Sequence, residues 1–274
     1  MARPLELVHA HARPPAVRGV DEFGFDLDYT ERVLPFMEWV YRSYFRVETQ
    51  GLDHVPAHGR ALLVANHGGV VPWDGAMIRT AIRLEHSSRR HARMLVLDWA
   101  FAMPFLSRFM IKTGNVLAHP DNAIQLLRRD ELVGVFPEGA KGATKGLRHR
   151  YRVNRFGRGG FVQVALRTGA PIIPVAVVGA EETHPVIADL GPAARLLRMP
   201  ILPITPTFPW LGPLGMLPLP SKWFISFGPP LDTTGLGADA AEDPSLVLDL
   251  GEQVRAWIQQ ELLELLPRRR TPFG

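Results

Sequence analysis

The sequence predicts an α/β fold: a mostly parallel central sheet flanked by helices. Three observations lead there. From residue 60 onward, short apolar runs of strand length alternate with segments of helical periodicity, the pattern that βαβ units produce. The chain has 274 residues, 46% hydrophobic and 21% charged, enough to bury one large core and too apolar for a disordered chain. No internal repeat and no clear interdomain linker interrupts it.

Residues 1–27 read as a flexible leader, with Pro14-Pro15 and mixed charge. Residues 28–274 read as a single domain, with an amphipathic helix over 28–46 and a proline-rich apolar segment over 199–221. Asp28 is placed to cap the first helix, with Glu31 three residues on. Val33, Phe36, Met37, Val40, Tyr41 and Tyr44 then recur at helical spacing, and Pro35 kinks the helix or starts it. Arg32, Arg42 and Arg46 flank the apolar side. Two readings stay open: a helix lying on lipid, or an ordinary surface helix packed on the core. Strands are expected at Ala61–Ala65, Met94–Leu97, Asn115–Ala118, Leu132–Phe136, Ile172–Val178 and Trp223–Phe227. Helices are expected at about Pro72–Arg83, Pro104–Ile111, Asp121–Arg129 and Gly157–Thr168. A last helix runs from about Pro244 to Leu266, with Val247, Leu250, Val254, Trp257, Ile258 and Leu265 on its apolar face.

Composition narrows the partners. A net charge of +4 and a pI near 9.7 suit an anionic partner, either nucleic acid or an anionic lipid surface. The absence of cysteine excludes disulfides, thiolate zinc sites and a Cys nucleophile, and fits a reducing cytosol. The N-terminus shows no secretory signal. The longest charge-free run, Met199 to Ser221, is long enough to span a bilayer but holds seven prolines. Proline removes helical hydrogen bonds that lipid cannot replace, so the run reads as an extended apolar segment.

Two junctions between strand and helix carry unusual residues, and in open α/β sheets ligands gather at such places. In the first, Ala61–Ala65 leads into Asn66-His67-Gly68-Gly69-Val70-Val71-Pro72-Trp73-Asp74. The glycines permit a tight loop and Pro72 suits a first helical turn, so His67 and Asp74 can face each other across it. In the second, Leu132–Phe136 leads into Pro137-Glu138-Gly139-Ala140-Lys141-Gly142. These blocks, with Ala170 to Gly179 (APIIPVAVVG) beyond them, resemble the glycerolipid (lysophospholipid) acyltransferase superfamily. That family has an Asn-His-x4-Asp block, a Phe-Pro-Glu-Gly block and a later proline-bearing block, in this order. The resemblance covers about Glu48 to Asp232. Two departures stand out. The spacing here is His-x6-Asp, similar to the branch of monoacylglycerol and diacylglycerol acyltransferases. The intermediate block, GNVLAHPDNA from Gly114, lacks the expected Arg; His119 lies near that place, and Lys112 just before it.

The resemblance implies acyl transfer from acyl-CoA or acyl-carrier protein, as co-substrate and with no cofactor, to the hydroxyl of a lysophospholipid such as 1-acylglycerol-3-phosphate. A neutral glyceride or other lipid alcohol is the alternative acceptor, and a non-catalytic lipid-binding protein is the alternative class. The kinked amphipathic helix and the proline-rich apolar run separately point to a peripheral enzyme on the cytoplasmic face of the membrane. The chemistry needs few parts. Imidazole is the side chain that most readily takes an alcohol proton near neutral pH. A carboxylate on its other nitrogen fixes the tautomer. His67 is thus the expected base and Asp74 its orienter. The resemblance places Glu138 and Gly139 at the acceptor; the plainer reading of Glu138 is a turn carboxylate tied to nearby backbone N–H groups. Lys141, Lys145 and Arg148 head a basic tract that suits a phosphate clamp or simply a solvated face.

Other chemistries fit less well. In GAKGATKG, Thr144 precedes Lys145 where a phosphate-binding loop needs Gly. No Gly-x-Ser-x-Gly elbow is present. A metal site is thinly supported by two candidate ligands. Nucleic acid is not expected as a partner, because only Tyr151 and Phe156 interleave the basic tract.

Overall fold

The computed structural model describes residues 19–69, 71–101, 106–143, 145–146, 149–191, 194 and 203–273. Nine strands lie among them: β1 (Glu48–Gln50), β2 (Ala61–Ala65), β3 (Ala92–Val96), β4 (Val116–Leu117), β5 (Leu132–Val135), β6 (Ile172–Val178), β7 (Ala188–Asp189), β8 (Pro203–Ile204) and β9 (Phe224–Phe227). Seven form one sheet in the order β1-β9-β6-β2-β5-β3-β4. Every neighbouring pair is parallel except β6 with β9. The expected mostly parallel sheet is therefore present.

The sequence of β2 explains its central place. Ala-Leu-Leu-Val-Ala is apolar throughout and wholly buried, as a parallel strand covered on both faces must be. Its side chains alternate between two cores. Leu62 and Val64 point into one, with Leu126, Val162, Val254 and Ile258. Ala61, Leu63 and Ala65 point into the other, with Met77, Ile78, Phe45 and Trp223. The period of two along a strand divides one run between two layers.

Helices cover both faces: α1 (Leu27–Trp39), α2 (Trp73–Glu85), α3 (Asp98–Phe101), α4 (Leu106–Lys112), α5 (Pro120–Leu127), α6 (Ala140–Ala143), α7 (Gly160–Thr168) and α8 (Pro244–Leu265). On α8 the buried side chains are Val247, Leu250, Val254, Ile258, Leu262 and Leu265, which repeats the expected apolar stripe except for half-buried Trp257. The α4 prediction began at Pro104, which lies outside the described residues.

Three expectations need correction. Asp26 rather than Asp28 caps α1, accepting the Tyr29 N–H at 2.9 Å. Of the two readings of Pro35, a kink within the helix or its start, the second is overturned. The residue lies inside α1, and the chain runs on into a π-turn at Val40–Tyr44. Residues 19–26 belong to the fold and not to a leader: the Asp21 carboxylate pairs with Arg93 at 2.6 Å, and Phe25 lies 4.9 Å from that guanidinium. Residues 1–18 lie outside the described residues. Strand β1 was missed because Glu-Thr-Gln at a sheet edge carries no apolar signal. The ribbon of β7 and β8 was missed because two-residue strands leave no periodicity.

Gly179 closes β6 with φ +110°, and a Cβ there would lie 2.6 Å from the Lys222 carbonyl oxygen and 2.7 Å from fully buried Trp223. Strain and overpacking add at this position, so Gly179→Ala is expected to cost at least about 2 kcal/mol. Urea unfolding monitored by circular dichroism measures it; an unchanged midpoint would show that β9 yields freely.

Candidate active site

Parallel pairing lays the C-terminal ends of β5, β2 and β6 side by side on one edge of the sheet. The three loops leaving these ends carry His67, Glu138 and Glu181. Asn66 locks the arrangement. Its amide donates to the Val177 carbonyl at 2.9 Å and accepts the Val177 N–H at 2.7 Å, continuing the β2–β6 ladder by one residue.

His67 and Asp74 meet across their loop. The ring Nδ1 lies 2.5 Å from Asp74 Oδ2. That oxygen also accepts the Gly68 N–H at 3.0 Å, while Oδ1 accepts the Gly75 N–H at 2.8 Å. The carboxylate is wholly buried in the first turn of α2, where aligned N–H groups favour negative charge. A carboxylate holding backbone donors is an acceptor, so Nδ1 carries the proton. Nε2 has no hydrogen-bond partner among the described residues, and this leaves it free to take one. Phe136 stacks on the imidazole with 4.5 Å between ring centroids.

Beneath the ring lies a second set of charges. Glu138 accepts the His67 N–H at 3.1 Å and the Asn154 N–H at 2.8 Å. Lys145 lies 2.9 Å from Glu138 and 3.4 Å from Glu181. Glu181 also accepts the Tyr151 N–H at 2.6 Å. All three side chains are nearly inaccessible, at 0%, 4% and 8% exposure for Glu138, Lys145 and Glu181. Burial pushes the Glu181 carboxyl up to about 7; Lys145 opposes this and Glu138 adds to it. Gly142 makes room for the cluster, since a Cβ there would lie 2.6 Å from Glu138 Cβ and 2.9 Å from His67 Cβ.

Comparison with known proteins decides what these blocks are. Residues 46–178 match the family described as Acyltransferase. An uncharacterized protein of Mycobacterium leprae is 47% identical over 255 residues, 93% of this chain and 70% of that one. A Gallus gallus protein named DGAT1/2-independent enzyme synthesizing storage lipids is 25% identical over 170 residues, 62% of this chain and 49% of its own. In fold, the chain is similar to the crystal structure of the 1-acyl-sn-glycerophosphate acyltransferase PlsC from Thermotoga maritima. The TM-score is 0.57 at 18% identity, covering 88% of this chain and 81% of that one.

The chain belongs to the acyltransferase family. Its reaction accordingly needs an acyl donor and an acceptor.

Within this acyltransferase the expected site residues do not all converge alike. His67, Asp74, Glu138 and Lys145 lie together. Glu138 has the geometry of the plainer reading, with both oxygens engaged by backbone N–H groups and Lys145. Lys145 is enclosed between two carboxylates rather than presented as a phosphate clamp. Gly139 turns the chain at φ +55° with open space around its Cβ position. Lys141 lies on α6, and Arg148 lies outside the described residues. Lys112 pairs with Asp26, and His119 caps α5 through the Asp121 N–H; neither enters the cluster. Among the described residues no group of three His, Cys, Asp or Glu side chains is placed to hold a metal.

Glu181 was not anticipated. Its signal was available: an acidic pair, Glu181-Glu182, two residues after the Gly that closes an apolar strand, is a third junction of the same kind as the other two.

The raised value of Glu181 has a sign. Between the ordinary 4.5 and about 7 the folded state binds more protons at this site than the unfolded chain. Stability is therefore lost as pH rises through that window. Glu181→Gln is expected to flatten this part of the stability profile, measured by urea unfolding from pH 5 to about 8. A slope identical to wild type would place the titration elsewhere.

Proposed function

We propose that this acyltransferase moves a fatty acyl group from an acyl-CoA or acyl-carrier-protein thioester to the hydroxyl of a lipid at a membrane surface, with His67 as general base. The observation that carries the reading is the His67–Asp74 contact, with Nδ1 committed to a buried carboxylate and Nε2 unengaged among the described residues. Nε2 takes the acceptor proton as the hydroxyl oxygen attacks the thioester carbonyl carbon. Asp74 holds the resulting imidazolium. The tetrahedral intermediate then collapses, the C–S bond breaks, and the thiolate leaves with the proton from Nε2. The His67 and Gly68 N–H groups already serve Glu138 and Asp74, so the oxyanion must be met by other donors.

The acceptor divides into two readings. A lysophospholipid is the first, by the order of the sequence blocks. A neutral glyceride or other lipid alcohol is the second, favoured by the ion pairs that occupy Lys145. The Gallus gallus relative's name, which refers to storage lipids, supports the second reading.

An apolar pocket of about 160 Å³ opens beside the loop, lined by Val71, Pro72 and Trp73 and roofed by α1. It supports an apolar substrate. Exposed side chains support the membrane. Phe36 stacks toward Trp39, which tilts against Tyr44. The Tyr44 hydroxyl donates to the Pro218 carbonyl at 2.6 Å, joining α1 to a segment that exposes Trp210 (74%), Leu214 (68%) and Leu217 (61%). No described helix is long and apolar enough to cross a membrane. The reading seats the protein peripherally, on the cytoplasmic face.

Two outcomes test this. His67→Ala should lose ~10²–10⁴ in turnover with labelled acyl-CoA across phosphorylated and neutral acceptors, with its fold intact by circular dichroism. Full turnover in that variant would favour a non-catalytic lipid-binding protein whose activity comes from elsewhere. Trp210→Ser with Leu214→Ser should weaken co-flotation with anionic liposomes at least ~10-fold. Unchanged flotation would move the membrane contact to another face.

A further inference from the structure

The connection from α6 to α7 carries Tyr151, Val153 and Asn154, and its backbone is gripped from two directions. On the side of the site, the Tyr151 N–H donates to Glu181 at 2.6 Å and the Asn154 N–H donates to Glu138 at 2.8 Å. On the other side, Gln259 of α8 holds the same stretch by both ends of its amide. The amide nitrogen donates to the Tyr151 carbonyl at 3.0 Å, and the amide oxygen accepts the Val153 N–H at 2.9 Å. Arg269, in the chain that leaves α8, donates to the Tyr151 hydroxyl. Its guanidinium also reaches Glu182 at 2.7 Å and the Lys222 carbonyl at 3.1 Å, so it is itself fixed. The Arg269 and Glu182 side chains are both buried.

This stretch needs outside support. Residues 152–156 belong to no helix or strand, so no ladder of backbone bonds fixes them. Tyr151 sits at φ +62°, a left-handed backbone that a bulky residue keeps only when its surroundings hold it there. Where the stretch goes, the site follows. The Asn154 N–H takes one oxygen of Glu138, and the other oxygen accepts the His67 N–H at 3.1 Å. A continuous path thus runs from Gln259 through the 153–154 backbone and Glu138 to the main chain of His67.

We propose that Gln259 and Arg269 are positioning residues for the acyl transfer, holding the 151–154 backbone so that Glu138 keeps His67 in place against Asp74. The inference rests on the reading of His67 as base. Gln259 acts through the loop and not by touching substrate, because α8 and α2 cover opposite faces of the sheet. Helix α8 packs into the layer of Leu62 and Val64, whereas α2 packs into that of Leu63 and Ala65. The effect on rate follows from geometry: a misplacement of about 1 Å far from the chemistry can cost ~10²-fold.

The experiment compares wild type with Gln259→Leu and Arg269→Met, each first shown to be folded by circular dichroism. Leucine keeps the helix propensity of α8 and removes both amide bonds. Two quantities are read: turnover of labelled oleoyl-CoA with 1-acylglycerol-3-phosphate and with monoacylglycerol, and amide hydrogen exchange of the protein without substrate. In both variants kcat should fall ~10–10²-fold while KM for donor and acceptor stays within ~2-fold. The His67 and Asn154 N–H groups should exchange at least ~10-fold faster, with the β2 amides at wild-type rates. A contact that only adds stability would change the β2 amides as well and leave kcat alone in the folded protein. Unchanged kcat in folded Gln259→Leu overturns the proposal, and so does unchanged exchange at His67. If Arg269→Met does not fold, Gln259→Leu carries the test, since its side chain is only half-buried. Full turnover in His67→Ala would remove the base reading instead, and the exchange result would still decide whether Gln259 holds His67.

Discussion

The parallel pairing of β5, β2 and β6 is the constraint on which the site rests. Parallel strands end on the same edge, so three loops distant in sequence leave the sheet as neighbours. Asn66 makes the pairing rigid at the edge by bonding both backbone groups of Val177. Glu138, one strand over, then grips the His67 backbone N–H. His67 is held from three sides: its backbone N–H donates to Glu138, its Nδ1 meets Asp74, and its ring stacks on Phe136. One ring edge is left for chemistry.

Charge is managed differently in the two buried regions. Under the site, Lys145 serves two carboxylates at once. Burial pushes the Glu181 carboxyl up to about 7, and Lys145, shared with Glu138, only partly opposes this. This network has the character of support: its polar atoms are engaged by backbone N–H groups and by each other. Beneath α1, the opposite holds. Several cations have carboxylate partners while Arg79 meets only a backbone carbonyl. A satisfied network stiffens a fold, whereas a buried polar group without a partner costs stability.

The helix α1 ties these themes to the surface. None of its residues is fully buried; Val40 and Tyr41, in the π-turn that follows, anchor it to the core. It roofs the pocket while exposing Phe36 and Trp39 on its outer side.

The sequence by itself determined the fold class and the central strands, because strands buried on both faces need continuous apolar runs such as Ala61–Ala65 and Ile172–Val178. It also determined the His67–Asp74 pair, since a seven-residue offset across a glycine loop into a helix start is a local geometry. Tertiary structure alone decided the rest. Whether Glu138 and Lys145 face a substrate or each other depends on Glu181, 43 residues beyond Glu138 in the turn that follows β6, across β2. Arg79 sits in an ordinary helical pattern; its isolation exists only once α1 and α4 close over it. Local order is written in neighbouring residues, whereas the partner of a buried charge is set by which distant segments the sheet brings beside it.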